Sequence, residues 1–173
     1  MGTMKEHEQT LPPRSVAAIP AIGVGGVVFN DQGRILLVRL RSPPQAGLWH
    51  IPGGRLEPGE TLADCCRREV QEETGIQVIP GPILAIADRR VEGFHYVIID
   101  FLTRLAPDSP LNPEPATDAA EACWIDPLEI HVLDLVEGLE PVIHAALATR
   151  DHRSGLSPEP TLGWLYVPEI NAV

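Results

Sequence analysis

The sequence predicts an α/β (α+β) fold, a mixed β-sheet flanked by helices. Three observations predict it. Runs rich in β-branched and aromatic residues recur at 23–29, 35–40 and 94–102. Between them lies one helical stretch with sharp signals at both ends. Strands and helices mix without the regular alternation of an all-parallel sheet. At 173 residues, 44% hydrophobic and 21% charged, the chain is long enough for one domain with a real core.

The elements follow in order. Residues 1–20 read as a flexible tail, 21–150 as a single domain and 151–173 as a C-terminal extension. Gly23 to Phe29 and Ile35 to Leu40 read as strands joined by a turn at Asn30-Asp31-Gln32-Gly33. Gly23, Gly25 and Gly26 precede no helix, so close backbone packing explains them better than a nucleotide loop. Arg41 to Gly59 is turn-rich. A helix then runs from Leu62 to Thr74, with Thr61 as N-cap, Asp64 three residues on, and Gly75 past its last turn. Ala63, Cys66 and Val70 form its apolar face. Ile76–Val78 and Ile83–Ala87 read as short strands, and Phe94–Leu102 (FHYVIIDFL) is the strongest strand signal. A Pro-rich loop spans 106–118, a strand Ala122–Ile125, and a helix opened by Pro141 covers Leu139–Thr149. A polar break precedes a final apolar segment, Leu162–Val167.

Charge narrows the function. Thirteen basic against 24 acidic residues leave −11, a surface that repels nucleic-acid backbones and any bare polyphosphate. No apolar run is long enough to span a membrane, and residues 1–14 lack the apolar core of a secretory signal. Cys65, Cys66 and Cys123 have no metal or disulfide spacing, and read as reduced thiols of a cytoplasmic protein.

The chemistry lies on the helix 62–74. Glu69 and Glu72 are three residues apart, Glu69 and Glu73 four, so the three carboxylates share one face. Such like-charge pairs cost an isolated helix about 0.2–0.5 kcal/mol each, and Arg68 offsets only part of this. A solvated acidic face is the plain alternative. Hard oxygen donors gathered this way are also what Mg²⁺ or Mn²⁺ binds, and a cation turns the repulsion into coordination. Glu57 and Glu60 add acids where the helix dipole favours them.

The spacing decides between these readings. From Gly54, five residues lead to Glu60, and seven more to Arg68-Glu69-Val70-Gln71-Glu72-Glu73-Thr74-Gly75-Ile76. The stretch GRLEPGETLADCCRREVQEETGI resembles an unbroken Nudix box, the signature of the Nudix hydrolase superfamily. At ordinary residue usage such a match arises by chance on the order of once in a billion starting positions. Trp49-His50-Ile51-Pro52-Gly53 is similar to that family's lead-in.

The resemblance implies a catalytic loop–helix–loop on a mixed sheet sandwiched between helices, cleaving a diphosphate linked to another moiety. It makes Glu69 and Glu73 ligands of Mg²⁺, with Mn²⁺ as a substitute, alongside Glu72 and the backbone carbonyl of Gly53. Arg68 would orient the glutamates and Glu60 would hold that network from its edge. The cation would neutralise the diphosphate and acidify a bound water. The base would be Glu72 or a downstream acid. Glu121 is the downstream candidate because it immediately precedes the expected strand at 122–125, and Asp118 is a weaker one.

The substrate is less legible. The run from Asp88 to Val97 resembles the ADP-ribose pyrophosphatase-like branch, with Arg89 and Arg90 to meet a distal phosphate or ribose and Phe94 or Tyr96 to stack on a base. The Pro that many of those enzymes carry beyond the box is replaced here by Arg90 and Val91. A nucleoside-diphosphate-linked small molecule, ADP-ribose or a nucleotide sugar, is the favoured substrate. A hydrolase of oxidised nucleoside triphosphates and a non-catalytic nucleotide-sugar sensor are the alternatives. The apolar C-terminal segment and the family's habit make a homodimer the favoured assembly.

Overall fold

The computed structural model describes residues 19–91, 94–116, 119–153 and 165–171. Its strands are β1 (Ala21–Val28), β2 (Ile35–Leu40), β3 (Trp49–His50), β4 (Gly53–Arg55), β5 (Val78–Val91), β6 (Phe94–Leu105), β7 (Ala119–Ile125) and β8 (Leu165–Asn171). Two α-helices, α1 (Leu62–Thr74) and α2 (Leu139–Arg153), and a 3-10 helix at Pro127–Val132 complete it. A five-stranded sheet has the order β4-β1-β6-β5-β8, and a three-stranded sheet the order β3-β2-β7. β1 runs parallel to β6 and β5 antiparallel to it, so the larger sheet is mixed as expected.

The strands β1 and β2 are buried on both faces, which is why they read as near-continuous apolar runs. One core holds Val27, Leu37, Ile51, Leu102 and Ile143 of α2. The other holds Val24, Val28, Leu36 and Phe101 against Cys65, Cys66 and Val70 of α1. Gly26 lets α1 approach, since a Cβ there would lie 2.9 Å from Val70 Cγ2. The glycines of β1 therefore serve close packing, as their context suggested.

Several boundaries differ from the sequence reading. The Asn30 turn forms, its Oδ1 accepting from the amides of Gln32 and Arg34, but β1 and β2 part into different sheets. Each finds partners elsewhere: β4 and β6 for β1, β3 and β7 for β2. The turn-rich stretch 41–59 contains β3 and β4, too short to show a period. The two short strands expected at 76–78 and 83–87 are one strand, β5, which absorbs Pro80 and Pro82 through register shifts between Pro80 and Ala85. β7 begins at Ala119 rather than 122, where the Arg41 guanidinium donates to the Ala119 carbonyl. The last apolar segment supplies β8, which pairs parallel with β5. Residues 1–18 of the expected tail and the residues from 154 to 164 lie outside the described residues, as does Asp118.

Candidate active site

The box folds as a turn, β4, and then α1, and the capping explains why α1 starts and stops where it does. Thr61 Oγ1 accepts the amide of Asp64 at 3.1 Å. Gly75 closes the helix at φ 71°, its amide donating to Gln71 O at 2.8 Å. Cys65, Cys66, Val70 and Thr74 are buried, so the face toward the sheet begins with Cys65 rather than the expected Ala63. Burial pushes the Cys65 and Cys66 thiols up to about 12, which leaves them chemically quiet.

Arg68 organises the acids. Its Nε and Nη2 donate to the two oxygens of Glu60 at 2.8 and 2.9 Å, a bidentate pair. Its Nη1 donates to Glu69 at 2.7 Å and to Glu72 at 3.1 Å, and Nη2 also reaches Arg55 O. The Glu60 and Glu69 side chains are only 13% exposed, while Glu72 is 58% exposed. Glu73 lies against the preceding turn, where its Oε2 accepts the Gly53 amide at 2.9 Å. Gly54 sits against Glu69 so closely that a Cβ would lie 2.4 Å from its carboxylate. Of the expected residues, Glu60, Arg68, Glu69 and Glu72 thus form one network, and Glu73 bonds the Gly53 amide in the neighbouring turn.

The hydrogen bonds from Arg68 hold the Glu60 carboxyl down at about 2, against an ordinary 4.5. A group depressed in the folded state stabilises it above its unfolded value, and that contribution is lost as pH falls through the folded one. Thermal melts between about pH 4.5 and 2 are therefore expected to show a stability loss that Glu60→Gln makes shallower. Burial pushes the Glu69 carboxyl up, against the pull of Arg68.

Among the described residues no three His, Cys, Asp or Glu side chains stand ready to hold a metal ion. Arg68 and the Gly53 amide engage the oxygens that would do so. The donor set nonetheless fits a hard divalent cation. It offers three carboxylates on one helix face and a glycine cradle that leaves the Glu69 carboxylate its space.

The two glycines make a paired test. At Gly54 an added Cβ meets only the far end of a side chain, which can swing away. Gly54→Ala should therefore keep the fold and displace Glu69, lowering activity roughly 10–100-fold. At Gly53 the Cβ would lie 2.6 Å from Val24 O and 2.8 Å from Gly25 Cα. Gly53→Ala should instead lower the melting temperature, as thermal melts of both variants would show.

A cleft of about 200 Å³ opens beside this turn, reaching from Gly53–Arg55 past Gly23, Gly25, His50, Tyr96 and Ile98. A second, much narrower hollow of about 30 Å³ shares His50 and Ile98 with it. Arg89, Asp100, Glu137 and the start of α2 line that second hollow. Register places Gly23, Gly25, Tyr96, Ile98, Asp100, Ala87 and Arg89 on one sheet face, so the two hollows form one trough. Burial lowers the Arg89 and His50 pKa values.

The expected substrate residues divide. Arg89 and Tyr96 line the trough, whereas Arg90 alternates to the opposite sheet face. Phe94, 63% exposed, stands 6.4 Å from Tyr96 by ring centroids and lines neither hollow. Glu121 lies within β7, not before it, and pairs with Arg39 at 2.9 Å on a half-exposed surface. Residues 114 and 116 donate backbone hydrogen bonds to Thr74 O and Glu73 O, which ties the approach to β7 onto the end of α1.

Asp100 went unnoticed in the sequence. It is 4% exposed, its Oδ1 has no hydrogen-bond partner among the described residues, and burial pushes its carboxyl up to about 7. The available signal was a lone acid in the middle of the apolar run FHYVIIDFL.

Comparison with known proteins decides the family. A NUDIX domain family model matches residues 19–146. The chain belongs to the NUDIX family. The human 8-oxo-dGDP phosphatase NUDT18 is 32% identical over 121 residues, covering 64% of this chain and 36% of that protein. With its mouse and zebrafish counterparts, the chain spans between 23% and 36% of these relatives' lengths. An ADP-ribose pyrophosphatase of Methanocaldococcus jannaschii is 40% identical over 57 residues, 33% of either chain. The solved MutT protein from Methanosarcina mazei Go1 matches with a TM-score of 0.64 and 26% identity, over 81% of this chain and 99% of that one.

Proposed function

We propose that this NUDIX chain is a Mg²⁺-dependent hydrolase that cleaves the diphosphate of a nucleoside diphosphate linked to another moiety, ADP-ribose or a nucleotide sugar foremost. The network of Arg68 with Glu60, Glu69 and Glu72, seated on the Gly53–Gly54 turn at the mouth of a trough, carries this reading. Glu69, Glu72, Glu73 and the Gly53 carbonyl would hold the cation, which neutralises the diphosphate and acidifies water when bound. Arg68 keeps the acids in register, and Glu60 fixes Arg68 from behind. Either Glu72 or Glu121 takes the proton from the attacking water. Arg89 and Tyr96 receive the remainder of the substrate, and Phe94 meets it from the rim; Arg90, on the opposite sheet face, has no part in this reading.

A second reading is favoured by one observation, the resemblance to the human 8-oxo-dGDP phosphatase over 64% of this chain. In that case an oxidised purine nucleotide would be the substrate. A non-catalytic sensor fits less well, because Glu60, Glu69, Glu72 and Glu73 are all present and hydrogen-bonded. Among the described residues no helix is long and apolar enough to cross a membrane. We place the protein in the cytoplasm, where free thiols such as Cys65, Cys66 and Cys123 persist. Its sheet ends on β8, an edge that a homodimer would cover.

The test is a hydrolysis panel of ADP-ribose, sugar nucleotides, dinucleoside polyphosphates and nucleoside di- and triphosphates, with products separated. ADP-ribose should yield AMP and ribose phosphate in Mg²⁺ and nothing in chelator. Pyrophosphate from a triphosphate, or phosphate from an oxidised diphosphate, would favour the second reading. Full activity in excess chelator would sink both.

A further inference from the structure

The last turn of α1 carries Glu72 and Glu73, and a helix end leaves carbonyls that need donors from outside the helix. The Gly75 amide supplies one, to Gln71 O. Two more come from a distant part of the chain. The Glu114 amide donates to Thr74 O at 2.9 Å and the Ala116 amide to Glu73 O at 3.2 Å. Glu73 is thus held on two sides, by this segment through its backbone and by the Gly53 amide through its side chain. The segment 106–116 has few amides with which to secure itself, because Pro107, Pro110, Pro113 and Pro115 have no N–H to donate. It is tied to its surroundings instead. The Ala106 amide donates to Gln77 O at 2.9 Å, the Gln77 amide to Ser109 Oγ at 2.9 Å, and Trp124 Nε1 to Leu111 O at 2.7 Å. The Leu111 side chain is 69% exposed, so its own packing adds little to that anchorage. Trp124 packs against the core beneath α1, which makes its N–H a fixed point.

We propose that Trp124 is a positioning residue for the cation site: its indole N–H pins the strap 106–116, and the strap holds the last turn of α1, with Glu72 and Glu73, in register. The inference rests on the hydrolase reading for the role of those glutamates. The stretch that meets α1 is fixed on either side. Before it stands the bond from Trp124 to Leu111, and after it the Ala119 amide donates to Ala116 O at 2.8 Å, where β7 begins. Indole Nε1 is a donor only, so a ring without it leaves the Leu111 carbonyl unheld. A strap released there gives up its bonds to Thr74 O and Glu73 O more readily, and a helix end without partners frays. The fraying is local. Arg68 still holds Glu60 and Glu69 one turn earlier, so the fold persists while Glu72 and Glu73 lose their register.

Trp124→Phe keeps an aromatic ring on the core and removes the N–H. Mn²⁺ isotherms followed by electron paramagnetic resonance on the full chain compare it with the wild type and with Asn30→Ala. The latter breaks the hydrogen bonds of the β1–β2 turn, which contacts α2 through Arg150. Trp124→Phe should weaken Mn²⁺ binding about three- to tenfold, less than the roughly 10–100-fold lost with a group bonded directly to a ligand. Hydrogen exchange followed by nuclear magnetic resonance should quicken at the Glu114 and Ala116 amides. Asn30→Ala should lower the melting temperature and leave the Mn²⁺ isotherm unchanged, which separates positioning from a general loss of stability. Should Trp124→Phe not fold, Ser109→Ala frees the same strap from the Gln77 amide and decides in its place, with the same expected result. An unchanged isotherm in the folded variant would overturn the proposal. So would unchanged exchange at those two amides, or an equal loss of affinity in Asn30→Ala. A wild type that binds no Mn²⁺ would instead overturn the cation site itself, and this inference with it.

Discussion

Glu73→Gln is expected to slow hydrolysis at least about a hundredfold while leaving the fold intact, because it removes a charge and almost nothing else. Glu73 accepts the Gly53 amide through one oxygen, and a glutamine carbonyl accepts the same bond. The turn is therefore retained. What is lost is an anionic ligand, and with it much of the pull that acidifies water and neutralises the diphosphate. Rates across a Mg²⁺ titration should show a weaker metal dependence together with a lower ceiling. A variant with unchanged rate and metal response would reduce the three glutamates to a solvated acidic face.

Glu121→Gln is expected to lower kcat by about a hundredfold or more with KM little changed, as for loss of a general base. Its ion pair with Arg39 supplies the competing account, in which Glu121 merely joins β7 to β2. Half-exposed pairs of this kind contribute about 0–1 kcal/mol, so the melting temperature should scarcely move. Steady-state kinetics and a melt on the same preparation separate the two. Near-normal kcat at saturating Mg²⁺ would leave Glu72 as the base.

The parts legible in the sequence were those set by local rules. Thr61, Asp64 and Gly75 delimit α1 because capping depends on residues within one turn. The spacing within α1 puts Glu69, Glu72 and Glu73 on one side because helix geometry converts sequence intervals into a shared face. Features set by distant partners were not legible. β5 runs through Pro80 and Pro82 only because β6 holds it on one side, and β3 and β4 are too short to carry a period. β7 starts early because Arg41 and Leu40 reach across to Ala119. Arg89 and Arg90 looked equivalent as neighbours, yet strand alternation sends only Arg89 into the trough. Asp100 was hidden for a related reason: a single charge in an apolar strand announces burial only once its neighbours, Gly25 and Ala85, are known.

The central claim is that the glutamate face of α1 is a cation site, and direct Mn²⁺ binding tests it without any assumption about substrate. Free Mn²⁺ measured by electron paramagnetic resonance gives the isotherm for the wild type and for the double variant Glu69→Gln with Glu73→Gln. The account predicts saturable binding that Mg²⁺ displaces and that the double variant weakens at least about tenfold, the lower end for disturbed metal sites. Mn²⁺ should also raise the melting temperature of the wild type but not of the variant. Equal Mn²⁺ isotherms for the two folded proteins would contradict it.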